Sequence, residues 1–358
     1  MDSGKPYYIW GYGSYADVPR SGTILVVTPT VGCIRFCALT LIVAVTALPL
    51  AGQTSLHLSN VRQLTFGGQN AEAYWSPDGG RLIFQSTREG NACDQIYLMN
   101  ADGSGIERVS TGKGATTCGY FLPEGKGIIY ASTHAAQAGC PPRPERSPDY
   151  VWAVHETYEI YAADDDGSNR RKLTETLGYD AEATVNWKTG QIIYTSKASG
   201  DLDLWSMDLD GANKRRLTKT LGYDGGAFFS PAGDKIVWRA HHPTEAQQIT
   251  RYRELLAQNL TAPMKMELFV ANSDGSDARR ITNFGCASFA PQFTPDGRRI
   301  IFSSNKNRCD SREFELFLID LDGNNLEQIS DFGGFTSFAE VPPDGEKLVF
   351  PSSHNAKS

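Results

Sequence analysis

The stretch from Arg280 to Gly323 decides the fold. It opens with Arg280-Ile281-Thr282, turns at Thr294-Pro295-Asp296-Gly297 and continues with the β-rich run Ile300-Ile301-Phe302. A second β-rich run, Glu315-Leu316-Phe317, leads to a turn at Asp322-Gly323. Proline presets φ for a turn, aspartate bonds the backbone ahead of it, and glycine accepts positive φ. This stretch therefore predicts short antiparallel strands joined by tight turns.

The same unit recurs six times after residue 60. Its opening tripeptides end in an apolar residue and a hydroxyl residue: Gln63-Leu64-Thr65, Arg108-Val109-Ser110, Lys172-Leu173-Thr174, Arg216-Leu217-Thr218, Arg280-Ile281-Thr282 and Gln328-Ile329-Ser330. The first-turn glycines are separated by 46, 65, 43, 64 and 48 residues: Gly79, Gly125, Gly190, Gly233, Gly297 and Gly345. Four short strands in about 45 residues are typical of a propeller blade. Because one blade cannot cover both of its apolar faces, the fold class predicted is an all-β, six-bladed β-propeller of four-stranded antiparallel blades.

The recurring Leu-Thr, Ser-Pro-Asp-Gly and Asp-Gly pattern resembles the WD-like repeat of TolB-type six-bladed β-propellers over about residues 61–358. The resemblance implies that strands a to d run outward from the channel, and that each tripeptide forms strand d of the preceding blade. It also implies that Val61–Thr65 supplies strand d of the last blade, whose own chain stops after strand b. Residues 351–358 are too few for a normal strand c, so we expect a truncated C-terminus or a blade closed with three strands. No counterpart of the TolB N-terminal α/β domain is expected, because only a short linker precedes the first repeat.

An uncharged apolar stretch precedes the repeats. It runs from Phe36 to Ala51 after Arg35, which predicts a signal peptide over residues 31–53. Residues 1–30 are then an upstream extension, and the mature chain begins between Ala47 and Thr54. The alternative is an N-terminal anchor that is never cleaved. An exported protein, periplasmic or extracellular, is the expectation.

Composition narrows the function. The chain has 358 residues, with 34 basic and 41 acidic side chains and a net charge of −7. A nucleic-acid binder should instead be basic or carry a basic stripe. The 35 glycines fit a fold rich in tight turns.

Two long loops are the first candidate binding surface. The b–c loop of blade two covers residues 134–157, and that of blade four covers 239–265, with a helix predicted over Thr244–Asn259. Long loops on one face of a rigid ring are where binding usually occurs. The candidate side chains are His134, Trp152, His155, His241 and His242. The alternative is that these loops only roof the channel.

The loops that enter the innermost strands are the second candidate. They place Glu72, Asp180, Glu182, Tyr223 and Asp224 at equivalent positions around the channel mouth. Close carboxylates raise each other's pKa unless a cation lies among them. This mouth is therefore a candidate site for a cationic group, a divalent metal ion or a peptide amine; otherwise these residues cap turns or pair with arginine.

Five cysteines follow the leader, and all map to the long-loop face. After export the compartment is oxidising. We expect Cys286 to pair with Cys309 and Cys118 to pair with Cys93 or Cys140, which leaves one odd thiol.

The function predicted is an exported, non-enzymatic, monomeric propeller that binds a protein or peptide through its long-loop face and channel mouth. Nucleic acid is not an expected partner, and the membrane is one only through an uncleaved leader. No cofactor is expected apart from a divalent cation at the mouth. The alternatives are an accessory propeller of a separate peptidase or hydrolase, and a metal-dependent lyase or hydrolase that uses the loop histidines. No G-x-S-x-G nucleophile elbow occurs in the chain.

Overall fold

The computed structural model describes residues 23–29, 58–144, 150–176, 178–263 and 265–353. These residues form a ring of six antiparallel blades, and the fold predicted from the repeat is confirmed. In each of the first five blades, the chain runs from the innermost strand a to the outermost strand d.

The strands of the five contiguous blades are given in the order a to d. Blade one consists of Asn70–Trp75, Arg81–Ser86, Gln95–Asn100 and Glu107–Arg108, and blade two of Thr116–Phe121, Ile128–Ser132, Glu159–Ala163 and Arg171–Lys172. Blade three consists of Asp180–Val185, Ile192–Ser196, Asp203–Met207 and Arg215–Arg216. Blade four consists of Tyr223–Phe229, Lys235–His241, Glu267–Asn272 and Arg279–Arg280, and blade five of Ser288–Phe293, Arg299–Ser304, Glu315–Asp320 and Glu327–Gln328.

The last residue of each opening tripeptide has a structural role. Its hydroxyl oxygen accepts a hydrogen bond from a strand c backbone N–H of the same blade, as in Leu268 N to Thr282 Oγ1 at 2.8 Å. The same bond joins Ile96 to Ser110, Ile160 to Thr174, Leu204 to Thr218 and Leu316 to Ser330. It explains why a hydroxyl side chain recurs there, since this bond attaches the short strand d to the blade.

Blade six draws on both ends of the described chain. Its strand b is Leu348–Ser352, and strand a is represented by isolated bridges from Thr336 to Ser352 and from Glu340 to Val349. Thr23–Pro29 pairs antiparallel with strand b on one side and with Leu58–Gln63 on the other. Thr23–Pro29 is therefore strand c, and Leu58–Gln63 is strand d.

The presence of Thr23–Pro29 in blade six differs from the sequence analysis, which placed residues 1–30 upstream of the propeller. Ile24 N donates to Thr65 Oγ1 at 2.9 Å, which is the bond that marks strand c in the other five blades. Ile24 and Val27 are almost fully buried, and together they contact apolar side chains on both sides of the blade. The predicted signal segment, residues 31–53, lies outside the described residues.

Aromatic contacts fill the spaces between blades. Tyr74 of blade one lies 5.7 Å from Tyr120 of blade two, ring centroid to ring centroid, and Tyr120 stacks on Trp187 of blade three at 5.4 Å. The ring closes where Trp75 Nε1 donates to the backbone oxygen of Glu340 at 3.2 Å. Blades with two buried faces need apolar residues on both sides of their strands, which accounts for runs such as Ile300-Ile301-Phe302.

The described chain also contains a 3₁₀ turn at Pro123–Gly125 and one α-helix, α1, at Ala246–Ala257. This helix matches the prediction over Thr244–Asn259. Two further short strands, Trp152–Ala153 and Leu260–Thr261, belong to the long loops. Among the residues described, no helix has the length and apolar character that crossing a membrane requires.

Candidate functional site

The a–b and c–d turns lie on one face of the ring, here called the short-turn face, and the d–a and b–c loops lie on the other, the long-loop face. Asp102 illustrates the short-turn face: its Oδ1 accepts from the backbone N–H of Ser104 at 2.9 Å. Equivalent bonds hold the other Asp-Gly turns, at Asp166, Asp210, Asp274 and Asp322. This face is a uniform scaffold, so variation is concentrated on the long-loop face.

The two long loops pair with each other. Leu260 and Thr261 of the blade-four loop lie opposite Ala153 and Trp152 of the blade-two loop in an antiparallel ladder. The backbone N–H of Val154 donates to Asn259 O at 2.8 Å. We call this joined structure the lid.

The lid packs onto the innermost strands. The Trp152 ring lies 5.2 Å from Phe289 and 6.3 Å from Tyr223, and the guanidinium of Arg239 lies 5.3 Å from the Trp152 centroid. From α1, Tyr252, Leu255 and Leu256 are buried. The loops therefore cover part of the channel mouth, as the alternative in the sequence analysis proposed.

A polar network lies beneath the lid. Arg239 forms an ion pair with Glu182, and both side chains are 3% exposed. Tyr223 Oη donates to Glu182 Oε2 at 2.8 Å, and Thr195 Oγ1 donates to the same oxygen at 2.7 Å. A Cβ at Gly226 would overlap the guanidinium of Arg239. The glycine thus lets a cation from strand b reach the channel.

Six equivalent residues form a ring around the channel. Each is the third residue of its strand a, the fourth in blade four, or the blade-six equivalent. Each has φ between 46° and 59°: Glu72, Cys118, Glu182, Gly226, Ala290 and Phe338. In blades one to five a register shift, or β-bulge, accompanies this residue. The six residues line a cavity of about 20 Å³, which has room for about one water-sized molecule. The narrow cavity and the lid leave little open space at this level of the channel.

Glu72 is the residue of this ring whose carboxyl group lacks a hydrogen bond on one oxygen within the part of the chain that is described. Its side chain is buried, and Oε1 has no hydrogen-bond partner among the described residues. Burial raises the pKa of Glu72 to about 8, and the negative charge of Glu182 adds to the shift. Since a buried acid with this pKa holds its proton at neutral pH, Glu72 does not present a negative charge there.

The other two predicted carboxylates lie inside their blades and do not line this cavity. Asp224 Oδ1 accepts from Trp238 Nε1 at 2.6 Å and lies 3.0 Å from His242 Nε2. Asp180 accepts from Thr176, and burial raises its pKa. The structure therefore brings together Glu72, Glu182 and Tyr223 but separates Asp180 and Asp224 from them.

The four loop histidines have separate surroundings. His134 Nδ1 lies 2.7 Å from Ser132 Oγ, and His241 Nδ1 lies 3.2 Å from Lys265 O. The His155 ring lies 6.2 Å from Tyr158, and His242 contacts Asp224. In the described part of the chain, no three His, Cys, Asp or Glu side chains are grouped so that they could hold a metal ion.

Two disulfides brace the long-loop face. Cys286–Cys309 has the predicted pairing, and the second bridge joins Cys93 to Cys140. The prediction that Cys118 pairs with one of these was wrong, because Cys118 is at the β-bulge and points into the channel beside Glu72. Cys118 is the buried free thiol, and burial raises its pKa.

A groove of about 740 Å³ lies beside α1 and is open at the long-loop face. Gln247, Arg251 and Glu254 line it from the helix, as the predicted polar side of this helix implies, and His241 and Lys265 line it from the rest of the loop.

The role of Arg239 was not predicted from the sequence, because this residue lies in a strand with no recognisable motif. The pair Gly225-Gly226 was the available signal, because other blades carry larger side chains there.

No protein-family model matches the chain, and no curated protein is similar to it in sequence. Solved structures are similar in fold. A TolB structure from Agrobacterium tumefaciens has 18% identity and a TM-score of 0.63 over 93% of this chain and 98% of that one. TolB from Acinetobacter baumannii has 16% identity and a TM-score of 0.60, over 88% of this chain and 65% of that one. A puromycin hydrolase structure has 13% identity and a TM-score of 0.50, with 44% of that chain covered. The chain has the fold of the TolB-type six-bladed β-propellers.

Proposed function

We propose that this chain is an exported, non-enzymatic propeller that binds a protein or peptide partner through its long-loop face. One observation carries the proposal: the two longest insertions lie on the same face and pair into a lid with an open groove beside it. Long structured loops on a rigid scaffold are typical of binding surfaces.

Two further features support it. The disulfides Cys93–Cys140 and Cys286–Cys309 lie on this face and fit an oxidising compartment. The four loop histidines contact different partners and do not form a catalytic cluster. Binding therefore accounts for the loops better than catalysis does.

The experiment is capture of proteins from an envelope extract by the immobilised full-length chain. A variant with Thr244→Arg and Gln248→Arg obstructs the long-loop face, and a matched variant with Ser104→Arg and Asn324→Arg obstructs the short-turn face. We expect the first variant to lose a protein that the second retains. If a captured protein is lost only by the short-turn variant, the proposal is contradicted. If the captured protein is a peptidase, the chain is better described as an accessory propeller of a hydrolase.

A further inference from the structure

We propose that the groove beside α1 binds an acidic, extended segment of a partner protein. This inference rests on the proposed function and specifies the chemistry of the partner. It also reverses the expectation of an acidic mouth that attracts cations, because the carboxylates of the mouth are buried.

The groove has the size and shape for a segment of chain. Its volume of about 740 Å³ falls within the range of about 300–1,000 Å³ that is usual for ligand sites. Twelve residues of α1 give a wall about 18 Å long, along which about six extended residues fit. A single small anion would leave most of this length unused.

The charge of the groove is positive although the chain is acidic. Arg251 and Lys265 contribute two cations, and Glu254 is the acidic side chain among the described lining residues. Glu254 lies 4.0 Å from Arg251, and the two side chains are 58% and 44% exposed. Exposed pairs of this kind contribute little stability, so a partner carboxylate can compete for the guanidinium.

The rest of the lining suits a peptide. Gln247 and Gln248 are exposed on α1, and their amides can donate to and accept from a peptide backbone. Tyr252 and Leu255 give the groove an apolar floor, because both are buried and line it. An acidic segment with alternating apolar residues satisfies both surfaces.

The short-turn face carries aspartates that accept hydrogen bonds within their own turns. Hydrogen bonds from a serine hydroxyl and a backbone N–H in each turn hold the pKa of Asp102, Asp166 and Asp274 below the usual range for aspartate. Bonds from Asn324 to Asp322 have the same effect there. The same turns also carry basic side chains, as in the ion pairs Arg81–Asp165, Lys126–Glu124 and Lys235–Asp234. This face is therefore mixed in charge, and it is the charge of the groove that favours an acidic partner.

The test measures the affinity of the full-length protein for two fluorescein-labelled peptides, one of alternating Glu and Leu and one of alternating Lys and Leu. The groove variant carries Arg251→Glu and Lys265→Glu. The control carries Arg253→Glu and Lys219→Glu, which changes net charge equally at exposed residues outside the groove. Thermal unfolding of all three proteins verifies that each is folded.

We expect the Glu–Leu peptide to bind the wild type and the control alike, and to bind the groove variant at least about tenfold more weakly, with affinity that falls as salt is raised. Equal binding to the groove variant, or equal binding of the Lys–Leu peptide to the wild type, overturns the inference. If an extract protein is lost with the Thr244 and Gln248 variant yet binds the groove variant normally, the inference fails while the proposed function stands. If that protein is lost only with the short-turn variant, the proposed function itself fails.

Discussion

At the scale of single residues, Arg239 and Glu182 form the ion pair under the lid, and both are almost fully buried. Removal of one member leaves the other as an uncompensated buried charge, which costs about 3–5 kcal/mol. We therefore predict that Arg239→Ala lowers the free energy of unfolding by about this amount in urea titrations. Arg253→Ala, an exposed change on α1, is the control and should stay within about 0.5 kcal/mol of the wild type. Equal stabilities for the two variants would contradict this assignment.

Glu72 gives a pH-dependent prediction. Its pKa is raised from 4.5 to about 8 in the folded protein, chiefly by burial. The folded state therefore holds a proton that the unfolded state releases between these values. The stabilising effect is complete below about pH 4.5 and is lost as the pH rises to about 8.

Comparison with Glu72→Gln isolates this group, since glutamine does not titrate. The wild type should lose stability relative to the variant across this window by up to about 1.4 kcal/mol per pH unit. Urea unfolding of both proteins at several pH values measures the difference. A difference that does not change with pH would show that Glu72 keeps its ordinary pKa.

Sequence reasoning reached part of this site. It placed Glu72 and Glu182 together because their strands align in the repeat, and both line the channel. It also grouped Asp180 and Asp224 with them, because residues two apart in a regular strand point to the same side. The β-bulge at the third position changes which residues face the channel, and no feature of the sequence indicates a bulge here.

At the scale of the structural element, strand c of blade six is the least expected feature. The repeat predicted a strand d for this blade near Val61–Thr65, and the structure has it at Leu58–Gln63. Strand c could not be found by spacing, because residues 30–57 separate it from strand d where other blades have a tight Asp-Gly turn. Cleavage anywhere in that interval would separate strand c from strand d.

Strand c of blade six should contribute measurably to the stability of the protein. Val27 is 1% exposed between strands b and d, and Val27→Asp places an unpaired charge there. We expect a loss of at least about 3 kcal/mol in the free energy of unfolding. Val61→Asp on strand d is the matched control, because Val61 is 43% exposed. Similar unfolding curves for the two variants would mean that Thr23–Pro29 does not stabilise blade six.

The disulfide at the lid should stabilise the protein and protect the blade-two loop. The Cys93–Cys140 bridge ties the blade-two loop to blade one, and native disulfides typically stabilise by about 2–4 kcal/mol. Cys140→Ser should lower stability by roughly this amount and speed proteolysis within residues 134–157. Non-reducing peptide mapping of the wild type should recover both bridges, with Cys118 alkylated only after unfolding. A bridge to Cys118, or unchanged proteolysis of the variant, would contradict this account of the lid.

At the scale of the whole molecule, the repeat predicted the ring because each tripeptide and turn has a defined bond in every blade. The position of charge was harder to predict. Much of the acidity lies in Asp-Gly turns of the short-turn face, where aspartate bonds the backbone, whereas the accessible groove carries two cations. Net charge does not reveal where the accessible charges lie, since that depends on which loops face which side.

The binding surface that we propose for this protein is the long-loop face. The direct measurement is photo-crosslinking in an envelope extract, with a photoreactive amino acid at Gln248 beside the groove or at Asn324 on the short-turn face, followed by mass spectrometry of the adducts. Both positions are exposed. We expect one defined protein to be linked to position 248 and not to position 324. The same adduct at position 324 alone, or equally at both, would contradict this expectation.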